Sequence, residues 1–600
     1  APSAAGAFAE WKSTTPPNEP SRFRAYEAFT LSRPKAALVD CQVMNPDGCL
    51  IVQSDKTVLL EVGHHDANDA RHALAVFAEL ERAPEHIHTY RITRLGLWNA
   101  RAAGHTRDEI IGTLAQYSKF ALPPGIVDEV EDTLRRYGQI DITREGEQLF
   151  LSTANAVTEA EILRTQKVAD LLGERDEHGR FPLEQWSRGV IKQELLKRGW
   201  PAADHAGYTE GTPHNIALDQ SSWSLRAYQQ EAITRFSDRG SGVVVLPCGA
   251  GKTLVGAGVM AELDTSTLIL VTNTVSARQW RAELLARTDL TEDDIGEYSG
   301  SIKEIKPVTI ASYSIMAAKR KGEFAHLGVL DAKNWGLVIY DEVHLLPAPV
   351  FQLTAQLQAR RRLGLTATLV REDGREGDVF SLIGPKRFDV PWKDLEAEGY
   401  IAPARCIEIR VELPTAERLE YAAAGDKERF RLAAASPTKS KVVTELLALH
   451  PHDPTLIIGT YVDQIEQLAD DLDIPMITGD TPVATREELY GAFRAGEITR
   501  LIVSKVANFS LDLPEASVAI QISGSFGSRQ EEAQRLGRIL RPKADGGPAT
   551  FYTLVARDTV DQDFALNRQR FLAEQGYGYR IMEATEVPHT LPLLLSGDIQ

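Results

Sequence analysis

Between residues 241 and 370 the chain alternates short, wholly apolar runs with longer segments whose apolar positions recur every three or four residues. The runs GVVVL, TLILVT, VTIASY, GLVIYD and RLGLTA have the length of strands buried on both faces, so the pattern predicts a parallel sheet wound with helices. It returns after residue 454 as TLIIGT, helical YVDQIEQLADDL, IPMITG, helical TREELYGAFRAG, RLIVSK, SVAIQIS, helical RQEEAQRLGRIL and TFYTLVA. Two α/β units of similar size are expected in tandem. A linker-like stretch over 385–403, punctuated by Pro391 and Gly399, joins them.

The first 220 residues read as a mixed α+β region. CLIVQSDKTVLLEV predicts a hairpin with Ser54 and Asp55 at its turn, and DARHALAVFAELERA a single amphipathic helix. Residues 91–138 have a helical period, with Pro123 and Pro124 separating two helices. LEQWSRGVIKQELLKRGWP predicts another helix, stopped at Gly199, Trp200 and Pro201.

Composition narrows the class. Six hundred residues, 43% apolar and 25% charged, suit a globular protein of roughly three to five domains. No apolar run approaches the ~18 residues of a membrane span. The opening APSAAGAFAEWKSTTPPNEP lacks a basic start and a long apolar middle, so a flexible leader rather than an export signal is expected, with a cytoplasmic home and no membrane partner. Cys41, Cys49, Cys248 and Cys406 show no paired spacing and are expected to be reduced core residues; His86 and His88 alternate as strand or loop residues, without companions for a metal site. A net charge of −18 argues against a surface coated in basic groups. A motor that grips a strand in an internal groove needs only local positive charge.

The chemistry lies at the strand ends. In GVVVLPCGAGKTLVGAGVM a strand leads through Gly249, Ala250 and Gly251 into a helix opening on Lys252 and Thr253. Such a turn can curl backbone N–H groups around phosphates at a helix N-terminus, with the lysine on the outer phosphates and the threonine hydroxyl on Mg²⁺. Leu246 stands where that pattern has its first glycine. In NWGLVIYDEVH, Asp341 and Glu342 follow a strand directly. One acid can hold Mg²⁺ and the next can orient or deprotonate the attacking water. Arg226 and Gln229 precede the loop by about 20 residues and are placed to read an adenine edge. Thr366 and Thr368 close a strand, where hydroxyls can report nucleotide state. Gln534, Arg535, Arg538 and Arg541 fall on one helix of the second unit. It is either a solvated basic helix or one that sends Arg538 and Arg541 across a cleft to the γ-phosphate, with Gln534 toward the nucleotide.

LRAYQQEAI, LPCGAGKT, DEVH, LGLTATLVRED, SKVANFSLDLPEASVAIQIS and GSRQEEAQRLGRILR, in this order, resemble superfamily 2 helicases, specifically the XPB family of DNA repair helicases in its bacterial or archaeal form. The likeness extends over roughly residues 46–585. It implies two RecA-like motor domains with ATP and Mg²⁺ between them, single-stranded DNA across their tops, 3′-to-5′ translocation and opening of duplex or forked DNA in nucleotide excision-type repair. By the same resemblance Arg371, Glu372 and Asp373 separate duplex, and His344 couples hydrolysis to DNA binding. Asp512 is kept in a loop where Ala507 and Asn508 replace the expected Gly and Asp.

The expected layout is a leader (1–35), an amino-terminal α+β domain (36–150), a damage-recognition-like domain (151–218), motor domains (219–395 and 396–585) and a tail (586–600). A thumb-like insertion is expected near 412–440, where Tyr421, Phe430, Lys427, Arg429 and Arg431 can stack bases and meet phosphates or simply form a solvated helix. Association with the nucleoid and with a partner nuclease or repair complex completes the expectation. Two other readings compete: an ATP-driven switch that opens or clamps DNA for a partner nuclease without processive movement, and an RNA helicase or restriction motor.

Overall fold

The two apolar patterns fold as two seven-stranded sheets, parallel throughout. The computed structural model describes residues 45–83, 86–247, 249–300, 302–320, 323–324, 326, 328–346, 350, 357–358, 360–367, 376–390, 392–398, 400, 404–504, 516–523, 549–574 and 579–596. Across the first sheet the strands run Ile295–Tyr298, Val308–Ser312, Thr267–Val271, Leu337–Asp341, Arg361–Thr366, Ser241–Val245 and Lys386–Asp389. Across the second they run Met476–Ile477, Arg500–Val503, Thr455–Ile458, Val518–Gln521, Ala549–Ala556, Ala404–Val411 and Tyr579–Glu583. Helices cover both faces, so every residue of Ser241–Val245 and Ala549–Ala556 is buried and strand sequence is apolar rather than alternating. This is a tandem RecA-like architecture.

The stretch 385–403 is more than a linker. Lys386–Asp389 is the edge strand of the first sheet, paired with Ser241–Val245, and Trp392–Ala397 is a helix. Proline and glycine punctuation marks its ends, while Phe388 and Val390 are buried.

Two smaller units precede the motor sheets. In the first, an antiparallel sheet orders Leu50–Val52, Thr57–Glu61, Ile87–Ile92 and Ala78–Arg82, packed against helices Arg94–Ala103, Arg107–Tyr117 and Pro124–Arg136. The hairpin forms as expected, the Asp55 carboxylate accepting the Thr57 N–H at 3.0 Å in its turn. The helix expected over DARHALAVFAELERA stops early: Ala67–Leu74 is helical, and Ala78–Arg82 is a strand. There Ala78 and Leu80 point inward and Glu79 outward, a period of two that pairing with Ile87–Ile92 selects over the helical period.

In the second unit Phe181–Leu183, Gln148–Thr153, Ile140–Glu145 and Ala203–Asp204 form one sheet, so a boundary at 150 cuts through a strand. This unit is pinned to the first motor sheet by a buried cluster. Asp204 accepts from Arg188 at 2.7 Å and Lys192 at 2.9 Å, and Lys192 also donates to Gln358 at 2.8 Å.

The first unit touches both motor sheets at their edge strands. Asn99 Oδ1 accepts the Lys386 N–H at 3.0 Å, and the Ala83 carbonyl accepts the Tyr579 hydroxyl at 2.5 Å. Cys49 and Cys406 are buried thiols. Among the described residues no helix is long and apolar enough to cross a membrane.

His88, buried in Ile87–Ile92, is core rather than ligand: burial, then the charge of Arg71, pushes it down to about 4. The unfolded chain therefore binds a proton at His88 between about 6.5 and 4 that the folded chain excludes. The stability this neutral histidine contributes is complete above pH 6.5 and is lost as pH falls through 4. His88→Leu is expected to flatten the fall in unfolding midpoint across that window, read by urea titration at successive pH values; an unaltered slope would refute the assignment.

Candidate active site

Everything chemical in the first sheet gathers at the carboxyl ends of three adjacent strands, where such sheets place their ligands. Arg361–Thr366 lies between the strand that feeds the phosphate loop and the strand that ends in Asp341. Leu246, in the place of the expected first glycine, remains in the core and donates its N–H to the Thr366 carbonyl at 2.9 Å. The loop turns only after it. Gly249 and Gly251 have φ of 80° and 79°, the left-handed region that admits glycine freely. A Cβ at Gly251 would also collide with the Gln229 amide. Helix Lys252–Leu263 then begins, placing Lys252 and Thr253 in its first turn.

Lys252 Nζ pairs with Glu342 Oε1 at 2.9 Å, both side chains largely buried. Glu342 adopts φ 50°, a strained left-handed conformation for a non-glycine residue, which turns its carboxylate toward the loop. Its second oxygen, Oε2, is buried without a hydrogen-bond partner among the described residues, His344 Nδ1 lying 3.5 Å away. Burial pulls the Glu342 carboxyl upward, but the charges of Lys252 and His344 and the bond from Lys252 outweigh it and hold it below its ordinary value. Asp341 goes the other way: burial, then the adjacent Glu342 charge, pushes it up to about 6. Trp280 Nε1 donates to Asp341 Oδ2 at 3.0 Å and the Tyr313 hydroxyl to its carbonyl at 2.7 Å, fixing the acid in place. Two carboxylates against one lysine leave a negative excess, a donor set suited to a divalent cation.

His344 is buried, its Nδ1 2.5 Å from Thr366 Oγ1. Glu342, His344 and Thr366 thus form a continuous chain from the acid to the middle strand. On the other side of the loop, Gln229 is buried and engaged at both ends of its amide: Oε1 accepts the Arg226 N–H at 2.9 Å and Nε2 donates to the Ala250 carbonyl at 2.9 Å. It braces the loop, with Arg226 beside it.

Thr368, Arg371, Glu372, Asp373, Ala507, Asn508, Asp512, Gln534, Arg535, Arg538 and Arg541 lie outside the described residues. The thumb-like stretch forms helices Thr415–Ala423 and Asp426–Ala434. Phe430 is buried edge-on against Phe564 at 5.0 Å, which corrects its reading as a base-stacking residue. The Tyr421 hydroxyl accepts the Val560 N–H at 2.9 Å, and Arg431 pairs with Asp463 at 2.6 Å. Trp280, Tyr313 and Tyr228 escaped the sequence reading because their roles depend on tertiary neighbours. The one local clue is Gly256, where a Cβ would collide with the Trp280 ring.

Comparison with known proteins agrees with this geometry. A family model described as ERCC3/RAD25/XPB C-terminal helicase matches residues 395–594, one described as type III restriction enzyme, res subunit, matches 222–371, and one described as helicase conserved C-terminal domain matches 50–177. The last spans strands and helices of the two amino-terminal units rather than a motor sheet. A DNA 3′-5′ helicase XPB of Kineococcus radiotolerans is 62% identical over 91% of this chain and 98% of its own length. One of Mycobacterium tuberculosis is 58% identical over 90% of this chain and 99% of its own. The general transcription and DNA repair factor IIH helicase/translocase subunit XPB/SSL2 of Saccharomyces cerevisiae is 30% identical, over 91% of this chain and 73% of its own. With the loop and acids in place and identity of this order over nine-tenths of its length, the chain belongs to the XPB family of DNA 3′-5′ helicases, ATP-dependent enzymes of superfamily 2.

Proposed function

We propose that the cleft beside Lys252 hydrolyses Mg-ATP to drive 3′-to-5′ movement along single-stranded DNA and opening of forked duplex in repair of the excision type. The observation that carries this reading is the buried Lys252–Glu342 pair at the carboxyl edge of the first sheet. Without nucleotide, each charge is the other's partner. An arriving γ-phosphate takes over Lys252, and Glu342 is left with its unpartnered Oε2 to accept a hydrogen bond from the attacking water. Losing the lysine also removes the larger part of what holds the Glu342 carboxyl down, the His344 charge remaining, so its basicity rises at the step that needs a base.

Thr253 and Asp341 are the residues to hold Mg²⁺, which supplies charge neutralisation on the phosphate oxygens when bound. Asp341, pushed up to about 6 by burial and the Glu342 charge, is the carboxyl whose ionised form such a cation would favour. Gly249, Ala250 and Gly251 present backbone N–H groups to the phosphates, Arg226 faces the base and Gln229 braces the loop. From the second motor, Arg538 and Arg541 stabilise charge on the γ-phosphate and Gln534 contacts the nucleotide, so hydrolysis depends on cleft closure. His344, Thr366, Thr368 and Asp512 relay nucleotide state toward the strand, and Arg371, Glu372 and Asp373 act at the duplex junction. The motors take residues 219–395 and 396–585. The DNA-bound enzyme works at the nucleoid with a partner nuclease or repair complex.

Two measurements test this reading. Glu342→Gln is expected to retain ATP binding while DNA-stimulated turnover falls roughly 10²- to 10⁴-fold, the range a positioned general base contributes. Lys252→Ala is expected to lose both; unchanged turnover in Glu342→Gln would assign the base elsewhere. On partial duplexes, purified protein with Mg-ATP is expected to displace a strand only where the single-stranded tail is 3′, and Lys252→Ala to displace none. ATP hydrolysis stimulated by DNA with neither substrate opened would replace processive unwinding by the switch that opens DNA for a partner.

A further inference from the structure

A line of contacts leads from the phosphate loop to the segment joining the two motors. The Ala250 carbonyl accepts the Tyr228 hydroxyl at 2.8 Å, and that hydroxyl oxygen accepts from Arg226 Nη1 at 3.2 Å. The Arg226 guanidinium lies over the ring of Tyr400, 4.7 Å from its centroid, and the Tyr228 and Tyr400 rings are 5.5 Å apart. Tyr400 stands just beyond helix Trp392–Ala397, its N–H donating to the Leu395 carbonyl at 2.8 Å. It is 170 or so residues away from Arg226 in sequence and belongs to none of the nucleotide motifs.

A guanidinium is planar and has two faces. With its central carbon over the Tyr400 ring and Nη1 bonded to the Tyr228 hydroxyl, the Arg226 guanidinium is held in place, ready for a purine ring to stack on it. Fixing a long side chain before the base arrives removes an ordering cost from binding. Gln229 already bonds the Arg226 N–H and the Ala250 carbonyl and has no planar cation to offer. We propose that Tyr400 is a positioning residue of the nucleotide site: it holds the Arg226 guanidinium in place for the purine of the nucleoside triphosphate. Because Tyr400 rides on the joint between the motors, occupancy of the base site bears directly on that joint. The inference rests on the reading of Arg226 as the residue that meets the base.

The experiment is steady-state ATPase with DNA present, on Tyr400→Ala, Tyr400→Phe, Arg226→Ala and the double alanine variant. Competition by inorganic tripolyphosphate, which has no base, is measured alongside. Tyr400→Ala is expected to raise the KM for ATP about 3- to 10-fold, the scale of a partly buried cation–π contact, with kcat unchanged. Tripolyphosphate inhibits all variants equally, and Tyr400→Phe, which keeps the ring face, restores the KM. Adding Tyr400→Ala to Arg226→Ala has no further effect. If Arg226→Ala raises KM and Tyr400→Ala does not, the positioning role is overturned and the base reading stands; if neither raises it, the base reading fails and takes the inference with it. A KM defect that Phe does not rescue, that persists in the Arg226→Ala background, or that extends to tripolyphosphate also overturns the role, since Tyr400 would then act on the loop as a whole.

Discussion

The structure turns on one buried ion pair, Lys252 with Glu342, at the edge where three parallel strands end. Two charges this far from solvent are costly unless each is the other's partner, and removing one leaves the other uncompensated. The loop glycines, the left-handed backbone of Glu342 and the anchoring of Asp341 by Trp280 and Tyr313 all bring the two groups within 2.9 Å. On the proposed reading, an arriving nucleotide exchanges one anionic partner of the lysine for another, so the lysine stays paired while Glu342 is freed for the attacking water.

Around this pair the amino-terminal units form a frame. The unit holding Asp204 is fastened to the back of the first motor sheet through a carboxylate that serves two cations, with the Asp204 carboxyl held well below its usual range because Lys192 and Arg188 outweigh its burial. The unit that begins at Leu50 meets the edge strand of each motor sheet, at Lys386 and at Tyr579. The first pairs a backbone N–H of a sheet edge that would otherwise be open, and the second is made by a side-chain hydroxyl. The second also places Ala573 of the second motor within the apolar core of the first unit. The first unit is thus in contact with both motors.

The parallel sheets were legible because strands buried on both faces are continuous apolar runs, and the phosphate loop because left-handed turns favour glycine wherever they occur. The paired acids were legible from their position directly after one such run. Less visible were elements whose period is decided by a distant partner. Ala78–Arg82 reads equally well as the end of a helix until Ile87–Ile92 pairs with it, and Lys386–Asp389 sits among proline and glycine punctuation although it is a sheet edge.

By itself the sequence determined the two α/β units, the order of their strands along the chain, the phosphate loop with Lys252 and Thr253, and the acids Asp341 and Glu342. These are local patterns, written within a dozen residues and set by backbone geometry and apolar periodicity. Only the tertiary structure decided that Glu342 and Lys252 neutralise each other, that Trp280 steadies Asp341, that Gln229 braces the loop, that Phe430 is core, and that Tyr400 lies under Arg226. Each of these depends on groups tens to hundreds of residues apart meeting at a few ångströms, and burial there changes charge, acidity and accessibility in ways no local pattern encodes.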